Sequence, residues 1–191
     1  LLTHSQVEIF YMGSHTPDAA AEAFREALRD LPRGELTPCG TVVVPKADAV
    51  RKEERALDVA QGKLVLGFRT GCTLTDAAFP ALLMMNAIYG GGITSKLFMK
   101  VREELSLCYY ASSTLEKFKG VMLVSSGIDC AQRDIAQAEI LRQLDAVRAG
   151  DISEAELDAA RRSVAGDLRT GADSPYYLAD FYLRETVQGT D

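Results

Sequence analysis

Apolar positions along the chain switch between a period of two and a period of 3.6, which predicts strands and helices mixed in one layered unit. Val7 to Met12 reads as a first strand. Thr16-Pro17-Asp18 then supplies an N-cap, a first-turn proline and an acid at the positive end of a helix, with Ala20, Ala23, Phe24, Ala27, Leu28 and Leu31 as its apolar stripe. Pro32-Arg33-Gly34 stops it. The stretch from Gly34 to Lys46, with Pro38, Gly40 and Pro45, reads as a connector in which Thr41 to Val44 forms at most a short edge strand.

Glu54 to Ala60 and Lys63 to Thr70 read as two strands parted at Gln61-Gly62. The second is apolar on both faces over Leu64 to Phe68, the pattern of a strand in mid-sheet. Thr75 or Asp76 is expected to cap a helix carrying Ala78, Leu82, Leu83, Met85 and Ile88, which ends at Gly90-Gly91-Gly92. Thr94 or Ser95 caps the next, through Leu97, Phe98, Val101 and Leu105. Tyr109 to Leu115 and Val121 to Ile128 predict an antiparallel hairpin around the charged turn Glu116 to Gly120. The last third is helical. Ala131 to Ala149 carries a stripe of Ile135, Ala138, Leu141, Leu144 and Val147. Ser153-Glu154-Ala155-Glu156 is a capping box that opens a helix through Leu157, Ala160, Val164 and Leu168, and Ser174-Pro175 opens another. This order predicts an α+β fold, an antiparallel-dominated sheet with helices packed on one face.

Composition narrows the function. Hydrophobic residues make up 47% and charged residues 25% of 191, an ordinary globular balance with enough apolar side chain for a core. The 21 basic and 27 acidic residues give a net charge of −6, and the basic ones are scattered, so no nucleic-acid partner is expected, and no membrane partner is expected either. No apolar run reaches the roughly 18 residues of a spanning helix. Cys39, Cys72, Cys108 and Cys130 lie far apart without a C-x-x-C pair or a signal-peptide pattern, which favours reduced thiols in a cytoplasmic protein. The chain opens at Leu1 in a strand-like run and stops just after a helical pattern, so residues 1–191 are expected to form one domain of a longer protein.

Several chemistries are missing. His4 and His15 stand eleven positions apart, and neither shares a helix face with a second histidine and a glutamate, so no metal ligands are assigned. No G-x-S-x-G elbow recommends a nucleophilic serine. Gly90 to Lys96 lacks the Gly-Lys-[Ser/Thr] order of a phosphate loop and follows a helix where that motif needs a strand. The glycines then read either as an interhelical turn or as backbone that a peptide can approach closely.

Taken together, Gly90-Gly91-Gly92, Thr94-Ser95-Lys96-Leu97-Phe98, Val101-Arg102-Glu103-Glu104 and Leu107-Cys108-Tyr109 resemble the second-domain signature of the M16 family, that of pitrilysin, insulinase and mitochondrial processing peptidase. Three departures stand out: Lys96 takes the place of the usual Arg, Ser106 of the usual Gly and Cys108 of the usual Ala. The specific part covers Gly90 to Tyr109. The order of elements is compatible over nearly the whole chain, and the look is that of small bacterial M16-like proteins whose halves are often inactive.

The resemblance implies a two-layer α/β sandwich of the LuxS/MPP-like metallohydrolase type, one part of a clamshell whose zinc is held by an H-x-x-E-H helix elsewhere. This chain then carries no cofactor itself, hydrolyses nothing alone, and works with a zinc-bearing half, in the same chain or a separate subunit, on a peptide substrate. A dimer is one arrangement it allows. In such peptidases an Arg and a Tyr seven residues apart face the chamber, the spacing of Arg102 and Tyr109. The guanidinium would donate to a substrate carbonyl and the phenol to the developing oxyanion, each worth about 2.7 to 4 kcal/mol by comparison with oxyanion-hole deletions. Gly90, Gly91, Gly92 and Ser95 are implied in substrate binding, with an extended peptide added to a sheet edge. Alternatively, Arg102 pairs with a local carboxylate and Tyr109 only begins a strand. The rival function is a silent structural or assembly protein that kept the fold.

Overall fold

The computed structural model describes residues 2–37 and 40–189. Pro38 of the expected connector, Cys39 and the terminal Leu1, Thr190 and Asp191 lie outside it. The chain divides into two compact units, one of residues 41–169 and one built from the segments up to Gly40 and from Thr170 onward.

The 41–169 unit is a two-layer α+β arrangement around a three-stranded antiparallel sheet of order β1-β3-β2. Its strands are β1 (Gly62–Arg69), β2 (Cys108–Glu116) and β3 (Val121–Ile128). Alternation sets the core face. Cross-strand rows Leu64-Ser126-Ala111, Leu66-Val124-Ser113 and Phe68-Met122-Leu115 point to one side, with Met122, Val124 and Ser126 at most 2% exposed. Helices α2 (Phe79–Tyr89) and α3 (Arg133–Arg148), and a π-helix over Leu97–Glu104, join this core through Ile88, Tyr89, Leu97, Val101, Ile140 and Val147. Tyr89 is wholly buried, and its hydroxyl donates to the Ile140 carbonyl at 3.0 Å, which satisfies the one polar atom it takes into the core. Helix α4 (Glu154–Ala172) adds Ala160 and Leu157. The hairpin forms as expected, Gly120 supplying a φ of +60° at its turn.

Several expectations are corrected. The β1 strand lies at the edge of the sheet and β3 at its centre; Val65 is 59% exposed, because its apolar side faces the sheet surface away from the core. Residues 54–60 form no strand: Leu57 and Val59 are exposed, and Glu53 and Arg55 pair with each other instead. Thr41 to Val44 is likewise irregular. Helix α2 begins at Phe79, since the Asp76 carboxylate is taken by the N–H and hydroxyl of Thr73 in a preceding turn. In α3 the buried positions are Ala136, Ile140, Gln143 and Val147; Val147 and the partly buried Leu144 lie on the expected stripe, whereas Ala138 is exposed and Ile135 is 61% exposed.

In the other unit, α1 (Pro17–Ala27) is capped by Thr16, whose hydroxyl accepts the Ala19 N–H, and α5 (Pro175–Gln188) by Ser174. The expected strand Val7 to Met12 is irregular and pairs with no strand among the described residues. Its aromatics contact helical ones instead, Phe10 against Tyr182 and Tyr11 against Phe24. Between this segment and α1 lies an open apolar cavity of about 850 Å³, lined by Ile9, Met12, Ala20 and Phe24 among others. No described helix is long and apolar enough to cross a membrane.

Candidate functional site

The glycine turn is shaped by close backbone approach. The N–H groups of Gly90 and Gly91 both donate to the Asn86 carbonyl, closing α2, and the Gly90 carbonyl accepts the Ser113 N–H of β2 at 2.8 Å. A methyl group on Gly90 would lie 2.6 Å from Ser113 Oγ and 2.7 Å from the Ser113 backbone nitrogen, so nothing larger than glycine fits without moving the strand. Gly91 would collide with α2 at 2.9 Å, whereas Gly92 has only Ser163 Oγ nearby, at an ordinary 3.9 Å. Gly91 is exposed and Gly92 half-buried, and Ile93 beyond them is 74% exposed. A cavity of about 300 Å³ opens beside Gly91, lined by Phe79, Leu83, Asn86, Ser113 and Leu115. The buried Asn86 amide is held there by the Ser113 hydroxyl at 2.8 Å.

Ser95 is 1% exposed, and its hydroxyl accepts the Phe98 N–H at 3.4 Å. It therefore shapes the start of the π-helix from within. Its neighbour Lys96 is buried too, with Nζ 2.8 Å from Glu156 Oε1. Glu156 Oε2 closes the capping box of α4, accepting from the Ser153 N–H and hydroxyl at 2.8 Å each. Burial raises the Glu156 carboxyl, but the hydrogen bonds from Lys96 and Ser153 outweigh it and hold the group below the usual carboxylate range.

The helix that follows is wound with five-residue bonds, a form that occurs mostly in short pieces and frequently at functional sites. Val101 and Leu97 are fully buried and anchor it, leaving Phe98 and Arg102 to share its outer side. The Arg102 guanidinium lies over the Phe98 ring at 4.6 Å and beside Glu103 at 3.4 Å, with 40% of its side chain exposed. The helix ends on Leu105 N–H to Lys100 carbonyl and Leu107 N–H to Val101 carbonyl bonds, with Ser106 between them at φ +50°. Ser106 therefore stands where a helix-ending glycine is favoured.

The strand then begins with a bulge. Cys108 pairs with Ile128 and Tyr110 with Gly127, so Tyr109 is the extra residue that opposes none. Bulges of this kind re-aim side chains. Tyr109 is 62% exposed, and its hydroxyl makes no hydrogen bond among the described residues. Tyr110 lies over Gly127, where a methyl group would be 2.5 Å from its ring. Burial raises the Cys108 thiol, and Ser126 and Arg102 only partly counter it, so this cysteine stays protonated near neutral pH.

Arg102 and Tyr109 are thus both solvent-accessible, at the two ends of one helix-to-strand reversal. Arg102 has the local carboxylate partner considered above and Tyr109 does begin a strand, yet neither is sealed beneath packed helices. Gly91 is exposed and Gly92 half-buried, whereas Gly90 and Ser95 act from inside the turn. Missing from the sequence reading were Asn86, Ser113 and the Lys96–Glu156 pair. The capping-box spacing exposes one oxygen's worth of Glu156; its second partner lies 60 positions away and leaves no local signal. Among the described residues no three His, Cys, Asp or Glu side chains gather to hold a metal ion. His4 instead bonds the Glu35 carbonyl at 3.0 Å, and Cys72, Cys108 and Cys130 are free thiols.

Comparison with known proteins gives this geometry a context. The peptidase M16 inactive domain family matches residues 1–164. A Bacillus subtilis protein named "Probable inactive metalloprotease YmfF" is 40% identical over 130 residues, which are 68% of this chain and 30% of that protein. The structure of a conserved protein from Enterococcus faecalis superposes with a TM-score of 0.82 and 30% identity, covering 93% of this chain and 42% of that one. A peptidase M16 inactive domain from Pseudomonas fluorescens has the same fold, with a TM-score of 0.65 and 20% identity over 92% of this chain and 41% of that one. The chain spans less than half the length of each of these relatives.

Proposed function

The chain belongs to the peptidase M16 inactive-domain family, and on that premise we propose that it is a zinc-less domain that binds peptide and helps to enclose the chamber of a zinc-bearing half. Among the described residues no three potential ligands gather to hold a metal ion, and in this reading the zinc belongs to the other half. The observation that supports the reading is the pair of the half-buried Arg102 and the exposed Tyr109, both accessible to solvent on either side of a fixed reversal.

The physical roles follow from what each group can donate. Arg102 is held over Phe98, which limits its rotamers, and it offers a fork of N–H groups to a peptide carbonyl. Tyr109, turned out by the bulge, offers one O–H to the oxygen on which charge develops when that carbonyl is attacked. Gly91 and Gly92 present main chain without side chains in the way, suited to an extended peptide whose sequence is not read. A cytoplasmic setting is part of the same proposal.

The test uses the full natural protein together with its zinc-bearing half. Arg102→Ala and Tyr109→Phe are each expected to lower kcat by roughly 10²-fold or more with a smaller change in KM, by analogy with loss of one oxyanion donor. Unchanged turnover in both variants would remove the assignment. A scaffold that had kept the fold alone would bind no peptide, which fluorescence anisotropy with labelled unstructured peptides decides.

A further inference from the structure

We propose that Lys96 is a positioning residue: the ion pair of its buried ammonium with the half-buried Glu156, whose side chain is 27% exposed, fixes the glycine turn and the start of the π-helix that carries Arg102. The peptide-binding purpose of that positioning rests on the reading above; the positioning itself does not. Lys96 Nζ sits 2.8 Å from Glu156 Oε1 with only 9% of the lysine side chain exposed. The other oxygen of the same carboxylate is taken by the Ser153 N–H and hydroxyl, so one group both caps α4 and grips the lysine. A buried charge pair persists where its remaining hydrogen-bonding capacity is used in this way.

The turn is therefore held from two directions. On one side the Gly90 carbonyl is bonded to β2 through the Ser113 N–H. On the other, Lys96 ties the residues just past Gly92 to α4, whose Ser163 Oγ comes to 3.9 Å from the space beside Gly92. Between these two fastenings lie the exposed Gly91 and Ile93 and the half-buried Gly92. A buried ion pair adds little net stability compared with an apolar side chain of like volume. What it adds here is direction, because a charge-assisted bond at 2.8 Å selects one lysine rotamer and hence one path for the backbone.

Methionine preserves the length of the lysine stem without its charge, so Lys96→Met is expected to fold while releasing the turn. Lys96→Met/Glu156→Gln removes both charges and leaves an amide that can still serve the capping box. Hydrogen exchange on the full natural chain, wild type and variants, reads the outcome. Amides of residues 91–98 are expected to exchange about tenfold faster in both of these variants, with the β2–β3 hairpin and α3 unaffected. Lys96→Arg restores slow exchange. Affinity for fluorescein-labelled unstructured peptides falls in parallel, about fivefold, because the turn is no longer preorganised. Unaltered exchange at 91–98, a uniform rise across the fold, or a Lys96→Arg variant as fast as Lys96→Met would overturn the proposal. Faster exchange with undiminished affinity would sever it from recognition. If the wild type binds no peptide, the peptide-binding reading fails, and exchange alone still decides what Lys96 holds.

Discussion

Ser106 stands in a left-handed conformation that costs a residue with a Cβ about 1–2 kcal/mol, at the point where the π-helix reverses into β2. It is exposed, so no side-chain contact repays that cost. Ser106→Gly is expected to stabilise the protein by about 0.5 kcal/mol, the relief of strain less the extra entropy glycine loses on folding; urea denaturation checks it, and a clear loss of stability would contradict the strain. The glycines make the opposite case. Gly90→Ala forces a methyl group to within 2.7 Å of the β2 main chain and is expected to cost about 1–3 kcal/mol. Gly92→Ala meets nothing closer than 3.9 Å and is expected to leave the denaturation midpoint nearly unmoved. The run of three glycines was legible as a turn, but which of them is sterically required was not, because Ser113 approaches from 23 positions away.

Elements whose signals are local came through. The capping box at Ser153, the Ser174 and Thr16 caps, and the hairpin around Gly120 all stand where neighbouring residues place them. Elements that depend on partners did not. Whether β1 lies mid-sheet is decided by what packs on its second face, and whether Val7 to Met12 becomes a strand is decided by the presence of a hydrogen-bonding neighbour. The π winding of Leu97–Glu104 has no counterpart in the apolar periodicity, because Leu97 and Val101 would share one face of an α-helix as well. At this scale pH enters through Glu156. Its folded pKa lies below the unfolded one, so the unfolded chain binds more protons as pH falls through that window. The stabilisation it contributes is present above the unfolded value and is lost as pH drops through the folded value. Glu139, lowered chiefly by its hydrogen bond from Arg142, acts in the same sense. Glu156→Gln is therefore expected to flatten the acid side of the stability–pH curve without abolishing it; an unaltered slope would mean that the carboxylate is not held down.

At the scale of the molecule, the family signature is confined to Gly90 to Tyr109, yet the family match runs over residues 1–164. Residues that carry the likeness stand where sequence and backbone geometry are tightly coupled, namely the glycine turn against β2, Ser95 at the helix start and Tyr109 at the bulge, and two of the departures, Lys96 and Ser106, fall at the helix start and its reversal. What the family lends to the rest of the chain is the fold, an antiparallel sheet with one face covered by helices. Function depends on whether this chain touches peptide. Photo-crosslinking measures that most directly: a benzophenone-bearing unstructured peptide is irradiated with the full natural protein and the zinc-bearing half proposed for it, and the adducts are mapped by mass spectrometry. Adducts on segments of this chain around Gly91–Ile93 and Arg102–Tyr109, suppressed by unlabelled peptide, are the expected result. Adducts confined to the zinc-bearing half would contradict a peptide-binding role for this domain.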